Sequence, residues 1–295
     1  MKILVIGGSG PIGYNISKYF SHKDYEVHST YYKNKIIGKK YYQLDITNNE
    51  KTVELIKKIN PEILIHCAAL AGVDLAEKNH QLADTVTVEG TKNVIEGCKI
   101  IKSKCIYVST SFVYNNKNNM GFENDKAVPN TYYGKTKLRS EEEVISSDLE
   151  HLILRTDQPY YWTEKWQKEN SVMRVLKNLR NETKLNEVID WFNVPTFIPD
   201  FVKAIDILIQ KNKNGIFNVV GNNFVNRYEW SCKVAEIFGL DKNLITPIKS
   251  QSLDLKIERP NINISNKKLI QETGIEMKGI IEGAKKMYSE SLNMK

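Results

Sequence analysis

The chain has 295 residues, 41% of them hydrophobic and 26% charged, a globular composition that excludes wholesale disorder and collagen-like or long coiled-coil architectures. Lys and Arg exceed Asp and Glu by 42 − 35 = 7, but the surplus is spread along the chain, so it reads as solvated surface rather than a nucleic-acid footprint. No run approaches the ~18 apolar residues of a membrane span. The four apolar residues after Lys2 are too few for a secretion signal, and four cysteines without C-x-x-C spacing suit a reduced, cytoplasmic protein.

Ile3-Leu-Val-Ile6 reads as a buried strand, and apolar residues at 12, 16, 19 and 20 form a helical stripe. Residues 25–30 and 41–44 predict two further strands. Thr47-Asn-Asn-Glu50 has a capping-box spacing, with a helix continuing over 53–59 until Pro61 closes it. Strands are expected at 63–66, 104–109 and 152–155, with helices over 82–101 and 132–145 between them. Such alternation implies βαβ units: an α/β fold with a Rossmann-type, doubly wound parallel sheet covered on both faces.

After Arg155 the rhythm weakens. Residues 158–162 are aromatic and loop-like, 172–179 and 201–209 look helical, and 215–220 reads as a strand returning to the sheet. Asn226-Arg-Tyr-Glu229 is a second capping-type start, with Gly239 as its stop. The expected organisation is a dinucleotide-binding half over 1–155, rejoined by 198–220. Residues 156–295 then supply mainly a smaller, interleaved substrate-binding part.

Four signals carry chemistry. Gly7-Gly-Ser-Gly10-Pro-Ile-Gly13 follows the first strand and opens the first helix, where glycines let backbone N–H groups approach a pyrophosphate. At the end of the second strand an NAD-selective fold places Asp or Glu against the ribose 2′-hydroxyl. No carboxylate lies between Val27 and Lys40; Ser29, Thr30, Lys33 and Lys35 stand there, which favours NADP(H) over NAD(H). Tyr133-Gly-Lys-Thr-Lys137 sets a phenol and an ammonium on one helix face, and a neighbouring cation would lower a tyrosine pKa from its ordinary value of about 10. Val108-Ser-Thr-Ser-Phe-Val-Tyr114 ends a strand in hydroxyl residues, where open α/β sheets bind ligands. His66 reads as a hydrogen-bonded structural residue and Cys67 as a small core residue. Trp162 and Trp166 read as packing residues. The histidines have no metal-ligand spacing, and no G-x-S-x-G is present.

These signals, in this order, resemble the extended short-chain dehydrogenase/reductase family. Leu44-Asp-Ile46, Ile65-His-Cys-Ala-Ala-Leu-Ala-Gly-Val-Asp74, Leu154-Arg-Thr156, Val194-Pro-Thr-Phe-Ile-Pro-Asp200 and Arg259-Pro260 resemble its dTDP-4-dehydrorhamnose reductase branch. The resemblance implies reduction of a nucleotide-linked 4-keto-6-deoxy sugar, with Tyr133 as proton donor, Lys137 tuning it and Thr110 bonding the same substrate oxygen. It implies a cofactor site of Gly7, Gly10, Pro11, Ile12, Gly13, Ser29, Thr30, Lys33, Asp45, Ile46, Cys67, Ala68, Ala69, Tyr133 and Lys137. It places Val73, Asp74, Thr110, Phe112 and Gln158 near the sugar, and suggests a homodimer. Ser111 stands where the branch often has Asp, Asp157-Gln158 where it often has Ser-Trp, and Thr87 where many relatives have Asn. The resemblance leaves open an epimerase or dehydratase with retained NAD, and a non-catalytic, reductase-like regulatory subunit.

Overall fold

The computed structural model describes residues 1–115 and 119–293. In chain order the main elements are β1 (Lys2–Ile6), α1 (Pro11–Ser21), β2 (Glu26–Tyr31), β3 (Tyr41–Gln43), α2 (Asn49–Ile59), β4 (Ile63–His66), α3 (Gly90–Ile101), β5 (Lys104–Thr110), α4 (Tyr132–Ile145), β6 (His151–Thr156), α5 (Ser171–Arg180), α6 (Ile198–Gln210), β7 (Gly215–Asn218), α7 (Arg227–Phe238) and α8 (Ile280–Leu292). The seven strands form one sheet in the order β7-β6-β5-β4-β1-β2-β3. Every neighbouring pair in it is parallel. Strand order reverses between β1 and β4, and the carboxyl ends beside that switch are where such sheets bind ligands.

Strand alternation divides the core. Ile3, Val5, Ile63, Ile65, Ile106 and Leu152 face α1 and α6. Leu4, Ile6, Leu64, Cys105, Tyr107 and Ile153 face α2, α3 and α4. Both faces are therefore buried, which explains the near-continuous apolar strand sequences. A second core joins α5, α7 and α8 through Val175, Leu179, Trp230, Val234, Ala284 and Met287. A smaller cluster joins Phe112, Val113, Tyr114, Val194, Val220 and Ile262, with Tyr133 and Trp191 packed against it. Among the described residues no helix is long and apolar enough to cross a membrane.

Two local expectations shift. The N-cap of α2 is Asn48, whose side chain accepts from the Lys51 amide, while Thr47 bonds back to Asp45. The helix expected over 82–101 is a short turn at 80–83, a π-helical segment (Asp84–Glu89) and then α3. The wide turn sets the Thr87 hydroxyl to accept from the Leu70 amide at 3.1 Å, and the Thr87 carbonyl to accept from Ser140 of α4 at 3.0 Å. The π segment thus ties the loop after β4 to the helix carrying Tyr133, a use typical of π-bulges near functional sites.

Candidate active site

β1 passes directly into a glycine turn. Gly7 has φ +82°, and a Cβ there would lie 2.8 Å from the Ala68 amide nitrogen. A Cβ on Gly13 would lie 2.4 Å from the Gly7 carbonyl oxygen, so α1 reaches this close to the turn only with glycine. Pro11 occupies the first turn of α1, and its N-cap, Gly10, offers no side-chain hydrogen bond. Ile12 and Gly13 therefore head the helix with backbone N–H groups able to meet a phosphate. The cradle fits a dinucleotide diphosphate on this geometry.

The residues expected around the adenosine end divide into inward and outward groups. Ser29 and Thr30 are both buried. The Ser29 hydroxyl pairs with Ser17 at 2.6 Å, and Thr30 accepts from the Gly7 amide at 3.0 Å. Their hydroxyls brace the glycine turn instead of facing a 2′-phosphate. Lys33 is exposed just past β2, its ammonium over the Tyr32 ring. Asp45 is exposed and accepts from Thr47, whereas the Ile46 side chain is buried where a Cβ on Gly90 would strike it. Cys67, Ala68 and Ala69 line the end of β4, partly buried, and burial pushes the Cys67 thiol up to about 12, the state of a packing residue rather than a nucleophile. Trp162 packs with Phe238 in the second core. Trp166 departs from the packing expectation: it is 41% exposed and meets Tyr14 of α1 edge-on. Its carbonyl accepts from Asn34, and neighbouring Gln167 donates to the Ser9 carbonyl at 3.1 Å, so residues 166–167 lie across the glycine turn.

The hydroxyl strand and the tyrosine helix meet at the end of β5. Thr110 accepts from the Phe112 amide at 3.3 Å, and the Tyr133 ring packs edge-on against Phe112, two residues beyond it. Gly134 makes this docking possible, since a Cβ there would lie 2.2 Å from the Phe112 carbonyl. Thr131 caps α4 through the Gly134 amide. Lys137 is buried, donates to the Val108 carbonyl at 2.7 Å and sits 4.0 Å above the Tyr107 ring. Burial pushes Lys137 down to about 7. The Tyr133 phenol is raised, chiefly by burial and further by the Asp157 charge, with Thr110 opposing. The lowering expected from Lys137 is not what the fold produces, because that ammonium is turned to the strand carbonyl and desolvation of the phenol prevails.

Among the residues expected near the sugar, Phe112 meets Tyr133 edge-on at 6.0 Å, and Val73 packs on the same cluster. Asp74 is held by Arg259 at 2.6 Å and by the Lys256 amide at 3.2 Å. Gln158, at φ +38°, accepts from Arg227 at 2.6 Å. Arg227, Asn193 and Trp191 belong to this neighbourhood although sequence reading missed them. Trp191 and Asn193 flank Phe192 while Arg227 opens α7, and no local spacing joins the two segments. Among the described residues no group of three His, Cys, Asp or Glu side chains could hold a metal ion.

His66 is fully buried, its Nε2 3.1 Å from the Thr91 hydroxyl, and burial pushes it down to about 3 from 6.5. Between those values the unfolded chain binds the extra proton, so stability rises with pH through this window and is lost as pH falls below 6.5. His66 should account for about 2 kcal/mol of the loss between pH 6.5 and 5. Urea midpoints of wild type and His66→Gln across that range check this; parallel curves would refute it.

Comparison with known proteins agrees with the architecture. The family described as RmlD substrate binding domain matches residues 1–293. Methionine adenosyltransferase 2 subunit beta of Rattus norvegicus is 26% identical over 253 residues, 84% of this chain and 75% of that one. dTDP-4-dehydrorhamnose reductase of Escherichia coli K12 is 24% identical over 306 residues, 98% of each. The crystal structure of dTDP-4-dehydrorhamnose reductase from Bacillus anthracis in complex with NADP superposes with a TM-score of 0.88 at 23% identity, covering 98% of this chain and 99% of that one. With a glycine cradle at the β1–β4 switch and a match along nearly its whole length, the chain belongs to the RmlD substrate binding domain family, on an extended short-chain dehydrogenase/reductase fold.

Proposed function

We propose that this protein is an NADPH-dependent reductase of a nucleotide-linked 4-keto-6-deoxy sugar. The observation that carries the reading is the packing of Tyr133 on Phe112 and the bond of buried Lys137 to Val108, which gather both around Thr110 at the carboxyl end of β5. The glycine turn and the head of α1 would hold the dinucleotide diphosphate, and Lys33 with Lys35 would favour a 2′-phosphate where no carboxylate stands. The fold is one in which the Bacillus anthracis neighbour holds NADP. When bound, the nicotinamide supplies the hydride. Thr110 orients the sugar carbonyl, Tyr133 gives its phenolic proton to that oxygen, and the Lys137 ammonium, one turn along the same helix, would hold the nicotinamide ribose. A phenol kept protonated by its surroundings suits the donor role.

NADPH absorbance decay with dTDP-, UDP-, GDP- and CDP-linked 4-keto-6-deoxy sugars tests the proposal. Consumption with at least one sugar supports it; none, from folded protein that binds NADPH, overturns it. The methionine adenosyltransferase beta-subunit relatives favour a second reading, a regulatory partner subunit. A stable complex with a synthetase catalytic subunit that survives Tyr133→Phe, from a protein inert toward every sugar, would select it.

A further inference from the structure

Beside Tyr133 lies a group of polar atoms that the fold leaves without partners. Asp157 is 2% exposed; one carboxylate oxygen accepts from the Val194 amide at 2.9 Å and the other, Oδ1, has no hydrogen bond. Asn193 is 1% exposed with both side-chain atoms unpaired, and the buried Ser111 hydroxyl is unpaired as well. The Arg227 guanidinium spends one nitrogen on Gln158, while Nε and Nη1 are buried without partners. It rests 4.9 Å from the Trp191 ring centroid, and the indole N–H of Trp191 is also unpaired. The carboxylate that could have answered Arg227 is already taken: Glu187 accepts from Arg174 at 2.6 Å and from Ser231 at 2.9 Å.

Buried polar groups without partners are costly, and a group of them gathered beside a catalytic candidate marks a ligand position. Burial pushes Asp157 up to about 6, opposed by the Val194 amide, Ser111, the Arg227 charge and Asn193, and burial pushes Arg227 down to about 10; no hydrogen bond joins the two. The pair offers an unused acceptor, Asp157 Oδ1, and unused donors, Arg227 Nε and Nη1. A hydroxyl satisfies both, donating to Asp157 and accepting from Arg227. A carboxylate can only accept and would face the Asp157 charge, and a methyl group would satisfy neither.

We propose that Asp157 and Arg227 form a hydroxyl clamp, with Ser111 and Asn193 beside it and Trp191 as its wall, that selects a neutral sugar keeping a ring hydroxyl near the reacting carbonyl. This rests on the reading of the site as a sugar-nucleotide site but not on turnover. The pair determines specificity, and proton donation stays with Tyr133.

Calorimetric binding of dTDP, UDP, GDP and CDP, each compared with its glucose ester, tests the clamp without catalysis. Wild type should bind at least one ester about 10–100-fold tighter than the bare nucleotide, the size of a hydrogen bond to a charged group. Arg227→Met and Asp157→Asn should each remove most of that increment and leave bare-nucleotide affinity within a few-fold. Arg227→Lys should restore part of it. Weakening of ester and nucleotide alike would make the pair merely structural, and no increment in wild type with any of the four would also overturn the clamp. An increment that disappears in the variants, from a protein that reduces no keto sugar, would uphold the clamp and overturn the reductase reading. Where sugars are reduced, wild type should prefer a 4-keto sugar over its 3-deoxy analogue, and the preference should shrink in both variants.

Discussion

Tyr133→Phe should lower kcat on the responding keto sugar by about 10²–10⁴-fold while moving the KM for sugar nucleotide by only a few-fold. The substitution removes one oxygen and keeps the ring that meets Phe112 edge-on, so the packing that places α4 survives. What is lost is the proton. Burial and the Asp157 charge hold that proton on the phenol, and the Thr110 hydroxyl is its neighbour. A contribution made only as negative charge develops on the substrate oxygen falls on kcat rather than on binding. Steady-state kinetics, with NADPH affinity measured separately by fluorescence, gives the answer. A KM effect with kcat preserved would make Tyr133 a contact residue and move proton donation elsewhere.

Much of this arrangement is legible in the sequence because it is local. Strands buried on both faces need continuous apolar runs, and β1, β4, β5 and β6 fall where such runs occur. Tyr133 and Lys137 share a helix face by spacing alone, and α4 spans the expected residues. The misses arise where tertiary contacts decide. Ser29 and Thr30 end a strand in hydroxyls, but whether those face ligand or protein depends on the packing of Ser17 and Gly7, which no strand pattern encodes. The direction of the Tyr133 shift depends on enclosure and on Asp157, 24 positions away (157 − 133). Arg227 follows Asn226, which caps α7 as its sequence suggests, and reveals nothing more until the fold brings Gln158 and Trp191 to it. The π segment at 84–89 is likewise invisible in periodicity, since the same apolar stripe serves a continuous helix.

Glu141→Ala should destabilise the protein by about 3–5 kcal/mol, a third or more of the stability of many domains, because it strands a buried cation. Glu141 is fully buried on α4, one helical turn beyond Lys137. Arg155 of β6 bonds it through Nη2 at 2.6 Å and through Nε at 3.1 and 3.2 Å, and the Ser109 hydroxyl donates to the same carboxylate. Arg155 also reaches the Tyr114 hydroxyl, so one guanidinium links α4 to β6 and to the chain just past β5. Arg155→Met alone should cost a similar amount, since it leaves the carboxylate without its cation. The Glu141→Met, Arg155→Met double variant should cost far less than the sum, because apolar replacement removes the desolvation of both charges together. Guanidinium denaturation of the four proteins measures the coupling, and a single-variant loss below 1 kcal/mol would show that the pair does little to hold α4. The effect should extend to catalysis, since the Glu141 charge is the first influence favouring the Lys137 ammonium against burial. Without it Lys137 falls below about 7 and loses its proton at neutral pH. Folded Glu141→Ala should then show reduced kcat as well as reduced stability, with partial recovery of kcat toward acid pH, where the ammonium is restored.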